Sequence, residues 1–232
     1  MYSLLSELFP YNRSITGDGV RQTLNRISKE IPIKISSVKS GTKVYDWTVP
    51  NEWNVKGAKI TGPDGIEYAN FDENNLHLMG YSIPVKKVLT LEELKKKIIT
   101  DESRPNTIPY STSYYKPNWA FCMKHNDVMK MPEGNYEVQI DATIEPGELI
   151  YGEAYLDSNA KKTVLISSYI CHPSMANDSL SGVVIAVQLF KELKKIKNLQ
   201  YNYKFLFVPE TIGTICFLNN NEELVKETTE FG

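Results

Sequence analysis

The spacing of apolar side chains changes twice along the chain. Near the N-terminus, Val20, Leu24 and Ile27 recur at helical spacing, and Pro32 ends that predicted helix. The segment 33–38 then alternates between apolar and polar side chains, which is typical of a strand. The first 43 residues are therefore predicted to contribute helices and one strand to a larger core.

The middle of the chain, residues 44–133, has a different pattern. Short strand-like runs are separated by turn signals such as Gly62-Pro63-Asp64-Gly65, and prolines between 105 and 117 interrupt the chain repeatedly. One short amphipathic helix is predicted over 91–99. We predict that residues 44–133 form a small inserted β-rich domain, and that 1–43 and 134–232 together form the main domain.

The last block predicts a strand–helix–strand unit. Thr163 to Ile170 is a nearly continuous apolar run, typical of a strand buried on both faces. A long helix is predicted over 180–196, followed by a second buried strand over 203–208. Because a crossover helix joins parallel strands, the fold class is α/β, with a mostly parallel sheet and flanking helices.

Composition and charge exclude several classes of protein. The 232 residues are 41% hydrophobic and 23% charged, and 26 basic against 28 acidic residues leave a net charge of −2. This balance speaks against disorder and against a nucleic-acid or anionic-membrane partner. There is no apolar stretch of about 20 residues and no signal-peptide pattern at the start. Three scattered cysteines indicate no disulfide framework, so a cytoplasmic location is expected.

Candidate chemistry follows the two buried strands. His172 and Asp178 lie in the loop after the first strand, and Glu210 comes directly after the second. The carboxyl ends of neighbouring parallel strands meet at one edge of a sheet, so we expect these side chains to approach one another. An imidazole and two carboxylates suit a zinc site with a general base. Zinc would polarise a carbonyl and acidify a bound water.

Structural explanations compete with each of these assignments. An aspartate before a helix is usually an N-cap, and a lone histidine after a strand is usually a satisfied structural group. His77 and His125 lie in the predicted insertion and are interpreted as structural or surface residues. The cysteines form no CxxC pair, which speaks against a thiolate zinc site. A Cys171–His172 catalytic pair is disfavoured, because adjacent side chains of an extended segment point to opposite sides.

The sequence resembles a known bacterial family at these residues. The segments SSYICHPSMANDSLSGVV and FLFVPETIGTICFL resemble the DUF4910 aminopeptidase-like family, distant relatives of the M28 zinc aminopeptidases. FPYNRSITGDGVRQTL near the N-terminus also resembles that family, and the middle block resembles its small inserted domain, DUF2172. The resemblance implies a zinc-exopeptidase-like fold, with His172 and Asp178 as metal ligands and Glu210 as the catalytic base.

The sequence also departs from the M28 pattern. Ser174 stands where those enzymes have an aspartate that orients the histidine, and Thr211 stands where they have a second glutamate. The remaining ligands of the family, including a later histidine, come from a segment beyond residue 232. We therefore expect this chain to be the N-terminal half of a longer protein. Its sheet would then have an open apolar edge, which makes a homo-oligomer one possible partner arrangement.

Two functions of different classes remain. The first is a zinc-dependent aminopeptidase-like hydrolase that cleaves an amide bond in a peptide or in an amide-bearing small molecule. The family context points to cell-surface polysaccharide biosynthesis, so this amide could belong to a modified sugar. The second is a non-catalytic binding module, or an inactive fragment, that keeps the fold without a competent metal site. Ser174, Thr211 and the distant ligands favour the second function for this chain taken alone.

Overall fold

The chain folds into two compact units. The computed structural model describes residues 1–114, 116–223 and 230–231. Met1–Glu52 and Pro146–Gly232 form the first unit, and Trp53–Glu145 forms the second. Both junctions lie later in the chain than the boundaries at 44 and 133 expected from the sequence. The second junction lies later because the strand at 135–145 joins the sheet of the second unit, and the first lies later because residues 44–52 group with the first unit.

The secondary structure alternates short helices with strands of two to eleven residues. The described α-helices are α1 (Tyr2–Leu8), α2 (Asp18–Ile27), α3 (Leu91–Lys95), α4 (His125–Val128), α5 (Ser181–Leu193) and α6 (Ile212–Asn220), and there are also a 3₁₀ helix (Asn75–His77) and a π-helical turn (Ala176–Leu180) that carries Asp178. The described strands are β1 (Lys34–Lys39), β2 (Lys43–Val44), β3 (Trp47–Thr48), β4 (Glu52–Thr61), β5 (Glu67–Asn70), β6 (Val85–Thr90), β7 (Ile98–Ile99), β8 (Phe121–Cys122), β9 (Asn135–Glu145), β10 (Glu148–Leu156), β11 (Thr163–Tyr169), β12 (Asn202–Val208) and β13 (Glu230–Phe231).

The main sheet of the first unit has the strand order β1-β10-β12-β11-β13. The pairs β11–β12 and β11–β13 are parallel, whereas β1–β10 and β10–β12 are antiparallel. The predicted α/β class is therefore confirmed, but the sheet is mixed rather than mostly parallel. Helix α5 provides the crossover that parallel pairing of β11 and β12 requires. The short segment 157–162 reverses the chain after β10, so β10 runs antiparallel to β12.

Helices cover both faces of this sheet. On one face, α1, α2 and α5 pack on β10 and β12, and the rings of Phe190 and Phe205 meet edge to face at 5.4 Å between centroids. On the other face, Phe217 of α6 meets Tyr151 of β10 at 6.0 Å. These buried aromatic pairs hold α5 and α6, the two helices that follow the candidate loops, against the sheet.

The second unit is built around a sheet with the order β5-β4-β9-β6. Side chains along β9 alternate between exposed and buried from Asn135 to Ala142. This alternation is typical of a sheet with one face on a core and the other in solvent, and β9 pairs with β6 in such a sheet.

None of the helices in the described part of the chain has the length and apolar character needed to cross a membrane.

Candidate functional site

The candidate site lies where two parallel strands end together. Tyr169, at the end of β11, is in register with Val208, at the end of β12. The backbone N–H of Ile170 donates to the carbonyl of Val208 at 3.0 Å and extends the pairing by one residue. The loops beginning at Cys171 and Pro209 therefore leave the sheet side by side, as the strand–helix–strand pattern predicted.

His172 is the centre of the site. The residue is 6% exposed, and each of its ring nitrogens faces a carboxylate. Nδ1 lies 3.1 Å from Oδ1 of Asp178, and Nε2 lies 3.1 Å from Oε2 of Glu210. The side chains of Asp178 and Glu210 are 68% and 47% exposed, so both remain accessible from solvent. The structure thus brings together the three residues proposed from the sequence, while their roles stay predictions.

The two contacts restrict how His172 can act. A neutral imidazole carries a proton on one nitrogen only, so it can donate to one of the two carboxylates. Donation to both carboxylates requires a positively charged ring. A metal ion bound to one ring nitrogen would replace a proton on that nitrogen and would lie next to the carboxylate that the nitrogen faces. The two nitrogens point in different directions, so the ion would be bound by His172 together with either Asp178 or Glu210. The other carboxylate would orient the ring.

Cys171 adds a sulfur atom to the site. Its Sγ accepts the backbone N–H of Glu210 at 3.1 Å. In the described part of the chain, Cys171, His172 and Glu210 form a cluster whose possible ligand atoms all lie within 4.8 Å of one another. Burial raises the pKa of the Cys171 thiol to about 12, so the sulfur is protonated at neutral pH. Adjacent side chains of an extended segment point to opposite sides, which disfavours Cys171 from the sequence alone, yet both Cys171 and His172 lie beside Glu210.

Arg13 lies behind His172 and was not among the residues proposed from the sequence. Its Nε donates to the backbone carbonyl of His172 at 3.0 Å, and Nη1 donates to the carbonyl of Leu8. The residue is 1% exposed, and burial lowers the pKa of the guanidinium from 12.5 to about 10, so it is still charged at neutral pH. The only sequence signal for Arg13 is its place in the segment FPYNRSITGDGV, which carries part of the family resemblance.

Two residues beside the site have unusual backbone conformations. Ser174 and Thr211, which stand where the M28 pattern has carboxylates, adopt φ values of +43° and +59°. Positive φ is uncommon for residues other than glycine and strained for a β-branched residue such as Thr211. The hydroxyl of Ser174 donates to the carbonyl of Phe9 at 3.3 Å, and Thr211 stands at the N-cap position of α6 without a side-chain cap hydrogen bond. The loops that carry His172 and Glu210 therefore each contain one residue in this uncommon conformation.

The other two histidines belong to the second unit. Nδ1 of His77 lies 2.9 Å from the carbonyl oxygen of Cys122, and Nδ1 of His125 lies 3.4 Å from the hydroxyl of Thr100. Burial lowers the pKa of His77 below 6.5. A backbone carbonyl and a hydroxyl partner fit the structural interpretation of both residues.

The fold of the chain is that of the zinc aminopeptidases. The structure of a zinc aminopeptidase from Bacillus subtilis superposes with a TM-score of 0.62 at 13% identity, covering 99% of this chain and 67% of that one. At this identity the similarity establishes the architecture alone.

Closer relatives place the chain more narrowly. The chain belongs to the family described as a domain of unknown function, DUF4910, which it matches over residues 2–232. A Clostridium acetobutylicum protein, named as a polysaccharide biosynthesis protein with an aminopeptidase-like domain, is 50% identical over 226 residues, or 97% of this chain. A crystal structure from the same organism, described as a peptidase, has a TM-score of 0.96 at 49% identity and covers 99% of this chain. The chain spans 52% and 54% of these two relatives, about half their length.

Proposed function

We propose that this chain carries part of the active site of a metal-dependent, aminopeptidase-like hydrolase. One observation supports the proposal above the others. A buried imidazole, His172, has a carboxylate oxygen 3.1 Å from each ring nitrogen at the carboxyl ends of two parallel strands. The carboxyl ends of strands are where ligands bind in open α/β sheets.

The donor atoms of the site suit zinc. Zinc in proteins takes imidazole nitrogen, carboxylate oxygen and thiolate sulfur. We propose that His172 and Asp178 hold the ion, as the family resemblance implies, while Glu210 remains outside the set of ligands. When bound, zinc would act as a Lewis acid and lower the pKa of a coordinated water.

Glu210 is proposed as the general base. Its carboxylate is 47% exposed at the end of β12, so water and substrate can reach it. Its contact with Nε2 of His172 keeps one carboxylate oxygen beside the ring, and the same carboxylate can accept a proton from an attacking water. A positioned general base typically contributes about 10²- to 10⁴-fold to the rate.

The proposed substrate is an amide bond close to a free amine. The aminopeptidase-like relatives favour a peptide. The name of the 50% identical Clostridium protein, which mentions polysaccharide biosynthesis, also favours an amide in a modified sugar. Assays with aminoacyl-arylamides and with N-acylated amino sugars separate these two substrate classes.

A non-catalytic binding module is the second candidate. Thr211 replaces a glutamate ligand of the M28 pattern, and Ser174 replaces the aspartate that orients the histidine, so this chain lacks one possible ligand and one orienting group. A module of this kind would keep the loops at the ends of β11 and β12 but would not retain zinc.

The test measures zinc stoichiometry and hydrolysis together on the protein at its full natural length. The hydrolase predicts about one zinc per chain and an activity that a chelator removes. His172→Ala should lose the metal and the activity, because it removes a ligand. Glu210→Gln should keep the metal and lose about 10²- to 10⁴-fold in rate. His125→Ala, a histidine of the second unit, is the matched control and should change neither quantity.

Two results would overturn this assignment. If the wild-type protein retains no zinc at pH 7, the binding module replaces the hydrolase. If Glu210→Gln loses zinc as completely as His172→Ala does, Glu210 is a ligand and the proposed division of roles is wrong.

A further inference from the structure

Arg13 connects the N-terminal segment to the candidate site across 159 residues of sequence. Its guanidinium donates from Nε to the carbonyl of His172 and from Nη1 to the carbonyl of Leu8, the last residue of α1. A guanidinium presents its donors in a fixed planar fork, so two such bonds define both the position and the direction of the groups they bind. Arg13 thus holds the backbone carbonyl of His172, while the imidazole of the same residue contacts Asp178 and Glu210.

Stability alone does not account for an arginine at this position. The side chain is almost completely buried, and its Nη2 has no hydrogen-bond partner among the described residues. Taking a cation out of water is costly, and a buried donor without a partner adds to that cost. An apolar side chain of similar volume would fill the same space without either penalty. Such a replacement would lose the two hydrogen bonds that Arg13 donates to the carbonyls of Leu8 and His172.

A second contact joins the same two segments. The hydroxyl of Ser174, two residues after His172, donates to the carbonyl of Phe9 at 3.3 Å. Helix α2 also packs closely against the N-terminal segment. A Cβ at Gly19 would come within 2.0 Å of the carbonyl oxygen of Asn12, so this position has no room for a larger residue. Residues 8–13 are therefore held closely at several points, and the loop at 172–174 is attached to them.

We propose that Arg13 is a positioning residue for His172. By binding the carbonyls of Leu8 and His172 together, it sets the direction in which the imidazole leaves the backbone and holds it between Asp178 and Glu210. The inference deepens the proposed function, and it rests on that function only for the zinc measurement described below.

The first test uses the metal-free protein and the histidines as probes. The three histidines of this chain are assigned by NMR in the protein at its full natural length, from spectra of single histidine-to-glutamine variants. Arg13→Lys keeps the charge and loses the fork, and we expect it to shift the His172 resonances. His77 and His125 should stay unchanged in the same sample, because they lie in the second unit. Arg26→Lys is the matched control, since Arg26 forms ion pairs with Glu7 and Glu30 and has no bond to the site loop.

The second test measures zinc affinity by competition with a chelator. Residues that orient a metal ligand typically contribute about 10- to 100-fold to affinity. Arg13→Lys should weaken zinc binding by that factor, and Arg26→Lys should leave it unchanged. A wild-type protein that binds no zinc would refute the proposed function, while the NMR test would still decide the role of Arg13.

A reciprocal measurement covers the case in which Arg13→Lys does not fold. His172→Gln leaves both backbone carbonyls in place, and the Nε–H resonance of Arg13 is then compared with that of Arg26. We expect the Arg13 resonance to shift and the Arg26 resonance to stay. Unchanged His172 resonances in folded Arg13→Lys, or an unchanged Arg13 resonance in His172→Gln, would overturn the inference.

Discussion

The two units of the chain use histidine in different ways. In the first unit, His172 lies between the carboxylates of Asp178 and Glu210. In the second unit, His77 contacts a backbone carbonyl and His125 contacts the hydroxyl of Thr100. His172 is buried, whereas His77 and His125 are only half-buried. The identity of the neighbouring groups separates a candidate site from ordinary packing.

Sheet topology explains how the site of the first unit is assembled. Strands β11 and β12 run parallel, so their carboxyl ends meet and two loops from distant parts of the sequence converge on His172. In the second unit, the pairs β4–β5 and β6–β9 are antiparallel, and antiparallel neighbours end at opposite edges. The short pair β7–β8 is parallel and does bring two loops together, but there the contact is between His125 and the hydroxyl of Thr100. The comparison indicates that metal chemistry in this chain should depend on the first unit alone.

The largest expected effect comes from creating a cavity in the core of one unit. It tests whether metal binding depends on the first unit alone. Phe205→Ala removes a ring packed on Phe190 in the first unit and should cost about 3–5 kcal/mol. Leu94→Ala removes a fully buried side chain in the second unit and should cost about 2–5 kcal/mol. Denaturant unfolding measures both costs, and zinc retention on partial denaturation shows which unit holds the site. Only Phe205→Ala should release zinc at lower denaturant. Earlier release from Leu94→Ala as well would contradict the separation.

A smaller effect distinguishes the two carboxylates that face His172. If Asp178 is a ligand, Asp178→Asn should weaken zinc binding by more than the about 10- to 100-fold typical of a residue that only orients a ligand. Glu210→Gln should weaken it far less. Equilibrium dialysis against a zinc buffer measures both affinities. The reverse ranking would place the metal at Nε2 with Glu210, and Asp178 would then be the residue that orients the ring.

The smallest effect concerns the pH dependence of the second unit. Burial holds the pKa of folded His77 below its ordinary value of 6.5. Between these two values the unfolded chain binds a proton that the folded chain does not, so stability should fall as the pH decreases below 6.5. His77→Gln should flatten this part of the stability profile, as measured by urea unfolding at a series of pH values. An unchanged slope in His77→Gln would show that another group is responsible.

Much of the candidate site was predictable from the sequence because its parts are local. The apolar run at 163–170, the helix after it and the strand at 203–208 define a strand–helix–strand unit. The handedness and direction of such units leave little freedom, so the loops with His172 and Glu210 had to emerge at the same edge. The α/β class and the proximity of these residues follow from that local pattern.

The tertiary structure decided what depends on contacts between distant segments. An alternating strand such as β9 suits any sheet with one face in solvent, and only packing shows that it belongs to the second unit. The direction of β10 depends on which neighbours it finds, β1 and β12. The position of Arg13 behind His172 depends on a contact across 159 residues, and no periodicity in the sequence encodes it. Local patterns specify elements and their loops, whereas the surroundings of a side chain are set by the packing of the whole fold.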